Sequence, residues 1–171
     1  LAAFVNYYLN NVNQQIREIG YFPVSDDTLQ ESQEQWERAT GLTNDTLSSI
    51  YPVAGNVLSV GSSTVSPVTQ RMAQGFSATS GQNVQIQIDS IGTDAGIRAF
   101  CLERTGDLLE ASRPMAAIDI AACQEKLRQP LELRIANDGI PIVVNPENTF
   151  LLNATREQVR AIFTTAERWS D

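Results

Sequence analysis

The chain has 171 residues, 42% of them hydrophobic and 19% charged, which suits one ordinary domain or a large part of a two-lobed protein and not a disordered chain. Its net charge of −8 comes with no stripe of Lys and Arg, which argues against nucleic acid as a partner, and no apolar run approaches the ~20 residues of a membrane span. There is no histidine, which removes Ser-His-Asp and Cys-His nucleophile pairs and most zinc sites. The two cysteines, Cys101 and Cys123, are too few for a four-cysteine metal site and fit either one disulfide or two buried thiols.

Leu1 to Ile19 carries Phe4, Val5, Tyr8, Val12, Ile16 and Ile19 at helical spacing, with Gly20 where a C-terminal cap belongs. "YFPVSDD" then turns the chain, and Thr28 with Glu31 has the spacing of a capping box for a helix through Trp36 to about Ala39. "GLTNDTLSSIYPVAG", Gly41 to Gly55, has no clear period and many turn residues, and reads as a linker. Asn56 to Val60 reads as a buried strand. Ser66-Pro67, an N-cap and a first-turn proline, opens a helix in which Val68, Met72 and Phe76 recur every four residues and which Gly81 ends. "NVQIQID" alternates Val84, Ile86 and Ile88 with Gln85 and Gln87, the pattern of a strand with one wet face. Gly92 to Gly106 is a short helix bounded by glycines, "DLLEASR" a short strand, "AIDIAACQEKL" a helix, and "LELRI" and "IPIVV" further strands. "NPEN" breaks the chain before Thr155 and Gln158 open a last helix carrying Val159, Ile162 and Phe163. Strands alternating with helices from residue 56 onward predict an α/β fold with a mainly parallel sheet flanked by helices.

In such sheets ligands sit at the carboxyl ends of strands, where helix N-termini converge. Three successive strand ends carry donors: Gly61-Ser62-Ser63-Thr64, then Ser90-Ile91-Gly92-Thr93-Asp94-Ala95-Gly96, then Ala111-Ser112-Arg113-Pro114. Two of them precede helix starts, whose N–H groups and dipole favour negative charge, and Arg113 adds a charge-assisted contact. Capping alone would account for any one loop. Their succession, with no catalytic base nearby, points to an anion cradle. No pair of carboxylates has a spacing that calls for acid–base work, and no phosphate-loop lysine follows "GSST", so the residues argue against an enzyme.

The ordered set "GSSTV", "SIGTDAGIRAFC", "EASRP", "AAC", "NDGIPIVVNPEN", "ATREQVRAIF" and "WSD", covering about residues 56 to 171, resembles the substrate-binding proteins of phosphate-specific ABC transporters, a type II periplasmic binding protein family. The N-terminal stretch "LAAFVNYYLNNVNQQIREIGYFPVSDDTLQESQEQW" resembles the C-terminal end of the same family, where a helix is followed by a "GY-P" turn and a last helix. Here that end comes first. The resemblance implies one lobe of a two-lobed fold: residues 1–40 as the family's C-terminal helical segment, 41–55 as a linker, 56–152 as the α/β anion-binding lobe, and 153–171 as the first helix of a second lobe. Most of that second lobe would be missing, as expected of a fragment of a tandem-domain protein or of a rearranged chain. "LAAFVNYYLNN" lacks the basic start and cleavage site of a signal peptide, which fits either origin.

Carried over by position, the phosphate-holding groups would be Ser63, Thr64 and the backbone at Val65 in the first loop, Gly92 and Thr93 in the second, and Ser112 and Arg113 in the third. Other family members place an aspartate at the third loop, an acceptor for the proton of hydrogen phosphate, which an arginine cannot be. Asp94 stands where glycine is commoner; it would supply that acceptor, repel a dianion, or serve only as an N-cap. The resemblance also implies a Cys101–Cys123 disulfide and a periplasmic or other extracytoplasmic location. The function implied is non-catalytic binding of inorganic phosphate for delivery to the membrane permease of an ABC importer, with no cofactor. The alternative is a binding-protein-like module used for anion sensing or self-assembly, its incomplete lobe open to self-association.

Overall fold

Phe4, Tyr8 and Val12, each one helical turn from the next, are buried along one face of α1 (Ala2–Gln15). A 3-10 turn (Ile16–Ile19) extends the helix and ends at Gly20, whose left-handed φ of 80° serves as the expected cap. The structure is a computed structural model in which residues 1–43, 46, 53–80, 84–139 and 141–166 are described. It divides into two compact units, Leu1–Gly139 and Ile140–Asp171. After α1 the first unit holds β1 (Phe22–Pro23), α2 (Asp26–Thr40), β2 (Gly55–Gly61), α3 (Ser66–Ser80) and β3 (Val84–Ser90). It continues through α4 (Thr93–Ile97), which runs on as a π-helix (Arg98–Glu103), then β4 (Leu108–Glu110), α5 (Ala117–Glu125) and β5 (Ala136–Asn137); the second unit holds α6 (Arg156–Thr164).

β2 is the centre of a three-stranded parallel sheet in the order β3-β2-β4. One apolar cluster joins Phe4, Tyr8, Val12 and Ile16 from the N-terminal helix to Val57 of β2 and to Val68, Met72 and Phe76 of α3. The Phe76 ring lies 5.4 Å from that of Phe4 and 5.5 Å from that of Tyr7, so α1 and α3 interlock through aromatic contacts as well as area. Inside this layer the Tyr8 hydroxyl meets Thr69 Oγ1 at 3.3 Å. Burial pushes the phenol well above its ordinary range, the Thr69 contact offsets part of that and the charge of Glu110 adds to it, so Tyr8 stays neutral. A second, smaller cluster of Ile97, Cys101 and Cys123 binds the π-helix to α5. The fold class is therefore the expected one, a mixed α/β unit with a parallel sheet flanked by helices.

Several local expectations are corrected. The cap of α2 is Ser25, whose Oγ accepts the Thr28 N–H at 3.2 Å, and not Thr28, which lies inside the first turn. "LELRI" is not a strand; only Ala136 and Asn137 pair, antiparallel with Pro23 and Phe22. Residues 141–144 of "IPIVV" join no ladder among the described residues, and Val143 is 83% exposed. An apolar run becomes a strand only where a neighbour supplies the hydrogen bonds, and among the described residues these runs have none. The Thr155–Gln158 capping box of α6 is present, with Thr155 Oγ1 accepting the Gln158 N–H at 3.2 Å and Gln158 Oε1 accepting the Thr155 N–H at 2.8 Å. Most of the expected linker (44–45 and 47–52) and Gly81 lie outside the described residues.

Replacing Phe76 by alanine should cost about 3–5 kcal/mol of stability in urea unfolding, as for other fully buried aromatic residues. Phe163→Ala on α6, where the side chain is 72% exposed, should stay within about 0.5 kcal/mol.

Candidate functional site

The register of the sheet sets Gly61, Ser90 and Glu110 side by side at one level. The three donor-bearing loops therefore leave the sheet from the same edge. Backbone contacts draw them closer: the Gly92 N–H donates to Gly61 O at 2.7 Å, and the Ser62 N–H donates to Glu110 O at 2.8 Å. Gly61 has a φ of 140° and a carbonyl of β4 in the space a Cβ would fill, while a Cβ on Gly96 would meet the backbone of Gly61. These two positions accept only glycine, because the chain segments touch through their backbones.

In the first loop the turn starts one residue after β2. Ser62 takes the capping role expected of Ser66: its Oγ accepts the Thr64 N–H at 3.2 Å, and its carbonyl accepts the Val65 and Ser66 N–H groups at 3.1 and 3.0 Å. The Ser66 hydroxyl is drawn elsewhere, to Glu110 Oε2 at 2.7 Å and Ser62 O at 3.0 Å. The amide of Val65, an expected ligand group, is thus engaged within the turn. Among the described residues the hydroxyls of Ser63 and Thr64 have no protein partner; Ser63 is exposed and Thr64 half-buried.

The second and third loops meet through side chains. Thr93 Oγ1 lies 3.1 Å from Ser112 Oγ and accepts the Ser112 N–H at 3.3 Å. Two hydroxyls sharing one contact use one hydrogen between them, which leaves the other to face outward. Arg113 donates through Nη2 to Asp94 Oδ1 at 2.7 Å and through Nη1 to Asp119 Oδ2 and Pro114 O at 3.0 and 3.1 Å. Three of its five donors are so engaged. Asp94 is consequently an ion-pair partner and makes no cap; its side chain is 88% exposed, whereas that of Asp119 is 19% exposed. The Arg113 guanidinium, and then the Ala116 N–H, hold the Asp119 carboxyl below the usual carboxylate range, and Asp94 first and Asp119 second push Arg113 further up.

A disulfide joins Cys101 of the π-helix to Cys123 of α5 beneath the second and third loops, both residues fully buried. Arg128 closes the end of the π-helix, donating to the carbonyls of Phe100 and Gly106 at 2.7 and 3.0 Å with its guanidinium 4.2 Å from the Phe100 ring centre. One residue escaped the sequence reading, Glu110; Ser62 was named within the first loop, but the cap was assigned to Ser66. Glu110 is only 4% exposed, with Oε1 accepting from Ser59 Oγ at 2.8 Å and Oε2 from Ser66 Oγ. The signal for it was an acidic residue closing the short strand "LLE", with serines at Ser59 and Ser66 on the neighbouring segment. Chemically the arrangement is a surface shelf of neutral donors with one half-occupied arginine.

Residues 37–171 match the PBP superfamily domain, and the chain belongs to that family. Among curated proteins it is similar to Protein SphX of a Synechocystis species, 35% identical over 115 residues that cover 64% of this chain and 34% of that one. It is likewise similar to the phosphate-binding protein PstS of Staphylococcus saprophyticus, 33% identical over 118 residues that cover 68% and 36% of the two chains. Among solved structures, a phosphate-binding protein of a phosphate ABC transporter from Streptococcus pneumoniae matches 42% of this chain and 27% of its own at 30% identity, with a TM-score of 0.39. The chain spans about a third of the length of the curated relatives it matches.

Because Asp119 titrates lower in the folded state, its ion pair stabilises the protein above the ordinary aspartate range and is lost as pH falls through the lowered value. In Arg113→Ala the Asp119 midpoint, followed by carboxyl-carbon NMR, should move up towards the ordinary ~3.9. Reduction of Cys101–Cys123, which closes a loop of sequence separation 22, should lower unfolding stability by about 3 kcal/mol in urea titrations with and without reductant.

Proposed function

We propose that the chain carries the phosphate-holding lobe of a two-lobed solute-binding protein that serves an ABC importer. The observation that carries this reading is the common level of three strand ends, each opening a loop with donors. The proposed ligand groups are the hydroxyls of Ser63 and Thr64, the turn at Val65, Gly92 and Thr93, and Ser112 with the remaining donors of Arg113. Asp94, its charge balanced by Arg113 and its side chain open to solvent, would accept the proton of hydrogen phosphate and so favour phosphate over sulfate. The name of PstS supports phosphate as the ligand, and a membrane permease is the partner that this reading implies. The disulfide supports an extracytoplasmic site of action, and among the described residues no helix is long and apolar enough to cross a membrane.

In this reading residues 1–40 are the closing helical segment of the lobe, 56–152 are its α/β body, and the helix from residue 153 onward begins the second lobe. α6 buries none of its residues, and Phe150, Leu152 and Phe163 are 68%, 76% and 72% exposed in their unit, as expected of a piece whose covering chain belongs to a longer protein. The same exposed residues favour one second reading, self-association through this unit, which sedimentation at several concentrations separates: a strict monomer removes it.

With donors on one side only, the anion keeps water on the other, and binding should be in the millimolar range, about −4 kcal/mol. Thermal-shift titration with phosphate, against sulfate and sodium chloride at equal ionic strength, checks this. At about a hundred times the dissociation constant phosphate should add roughly 2.7 kcal/mol of stability, and Thr93→Val or Arg113→Ala should abolish the gain. No phosphate-specific shift at roughly tens of millimolar removes the working site from this lobe, and sulfate binding as tightly as phosphate near pH 8 removes the acceptor role of Asp94.

A further inference from the structure

Glu110 is a buried carboxylate with no cation: among the described residues none of the ion pairs involves it. Burying such a group is unfavourable unless its oxygens are well bonded. Here they are bonded to two different elements, Ser59 of β2 and Ser66 of α3, while the carbonyl of the same residue takes the Ser62 N–H. One residue of β4 thus holds both ends of the turn that carries Ser63 and Thr64. Ser66 has a single hydroxyl hydrogen and two acceptors in reach, Glu110 Oε2 and Ser62 O, so the turn and the carboxylate are linked through one proton.

We propose that Glu110 is the positioning residue of this first anion-binding turn, and that its fixed negative charge opposes the charge of the ligand held there. The ligand half of the statement rests on the phosphate reading; the positioning half does not. The positive end of the α3 dipole then serves two negative groups, one built in and one bound, which makes the site weaker than its donors alone would allow. A glutamine in place of Glu110 would keep an acceptor for Ser59 and turn an N–H towards Ser66 Oγ, freeing the Ser66 hydrogen for Ser62 O. Shape and bonds would survive, and the charge would go.

The test uses the full chain, nitrogen-15 labelled, as wild type, E110Q, E110A and S66A, with amide hydrogen exchange measured before titration with inorganic phosphate. In E110Q the Ser62 to Ser66 amides should exchange at wild-type rates, and phosphate should bind about three- to tenfold tighter for the loss of one partly screened charge. In E110A the same amides should exchange about tenfold faster or more, with phosphate binding weaker by a similar factor than in E110Q, which has lost the same charge. S66A, which removes one partner only, should move both in the same direction and decides the matter if E110A does not fold. Wild-type exchange rates at this turn in E110A or S66A overturn the positioning role. E110Q binding phosphate no tighter than wild type overturns the opposing charge. The expected exchange pattern with no phosphate response in any variant overturns the phosphate reading and leaves the positioning role standing.

Discussion

Gly61 stands where three stretches of backbone meet, and the candidate site follows from that contact. Its own strand ends there, the carbonyl of Glu110 occupies the space a side chain would take, and α4 presses its Gly96 from the other side. With the backbones this close, Gly92 reaches Gly61 O and Ser62 reaches Glu110 O, so the three loops start within one hydrogen bond of each other. The donors converge because glycine permits the approach and the parallel register puts it at the strand ends.

Charge at the shelf is arranged as one guanidinium between two carboxylates, which leaves negative charge in excess there. Arg113 is partnered by Asp94 and Asp119, and Asp119 in turn accepts the N–H of Ala116, the N-cap residue of α5, which fixes the third loop to the helix behind it. What is left facing outward is a set of hydroxyls, the spare hydrogens of one guanidinium and the exposed carboxylate of Asp94. The donors among these favour an anion through local dipoles, whatever the net charge of the chain, so a total of −8 is no obstacle.

The parts of the fold that were legible in the sequence are those set by near neighbours. The apolar stripe of α1, the strand from Asn56 to Val60 and the Thr155–Gln158 box depend on spacings of a few residues, and all are present. The three donor loops were legible for the same reason, as punctuation between strand and helix. The role of Ser66 was not, because its partner Glu110 is 44 residues away and a buried unpaired carboxylate is a rare choice. "LELRI" and "IPIVV" failed for the converse reason: they have strand composition, and among the described residues no partner completes them. Spacing left the two cysteines open between thiols and a bridge; the resemblance supplied the pairing that the π-helix and α5 display.

The turn that carries Ser63 and Thr64 is only as firm as α3 behind it, and α3 is held by α1. Val68, Met72 and Phe76 are covered by Phe4, Tyr8 and Val12, and the Tyr8–Thr69 contact ties the two helices inside the apolar layer. Hydrophobic burial has no direction along the chain, so the cluster does not depend on which segment comes first. It depends on whether the connecting stretch can span from Thr40, the last residue of α2, to Gly55, the first of β2. A segment that precedes β2 in the chain can therefore still cover α3. Its contribution to the candidate site is mechanical: it keeps the helix start beside Glu110 fixed, and with it the turn that places the Ser63 and Thr64 hydroxyls.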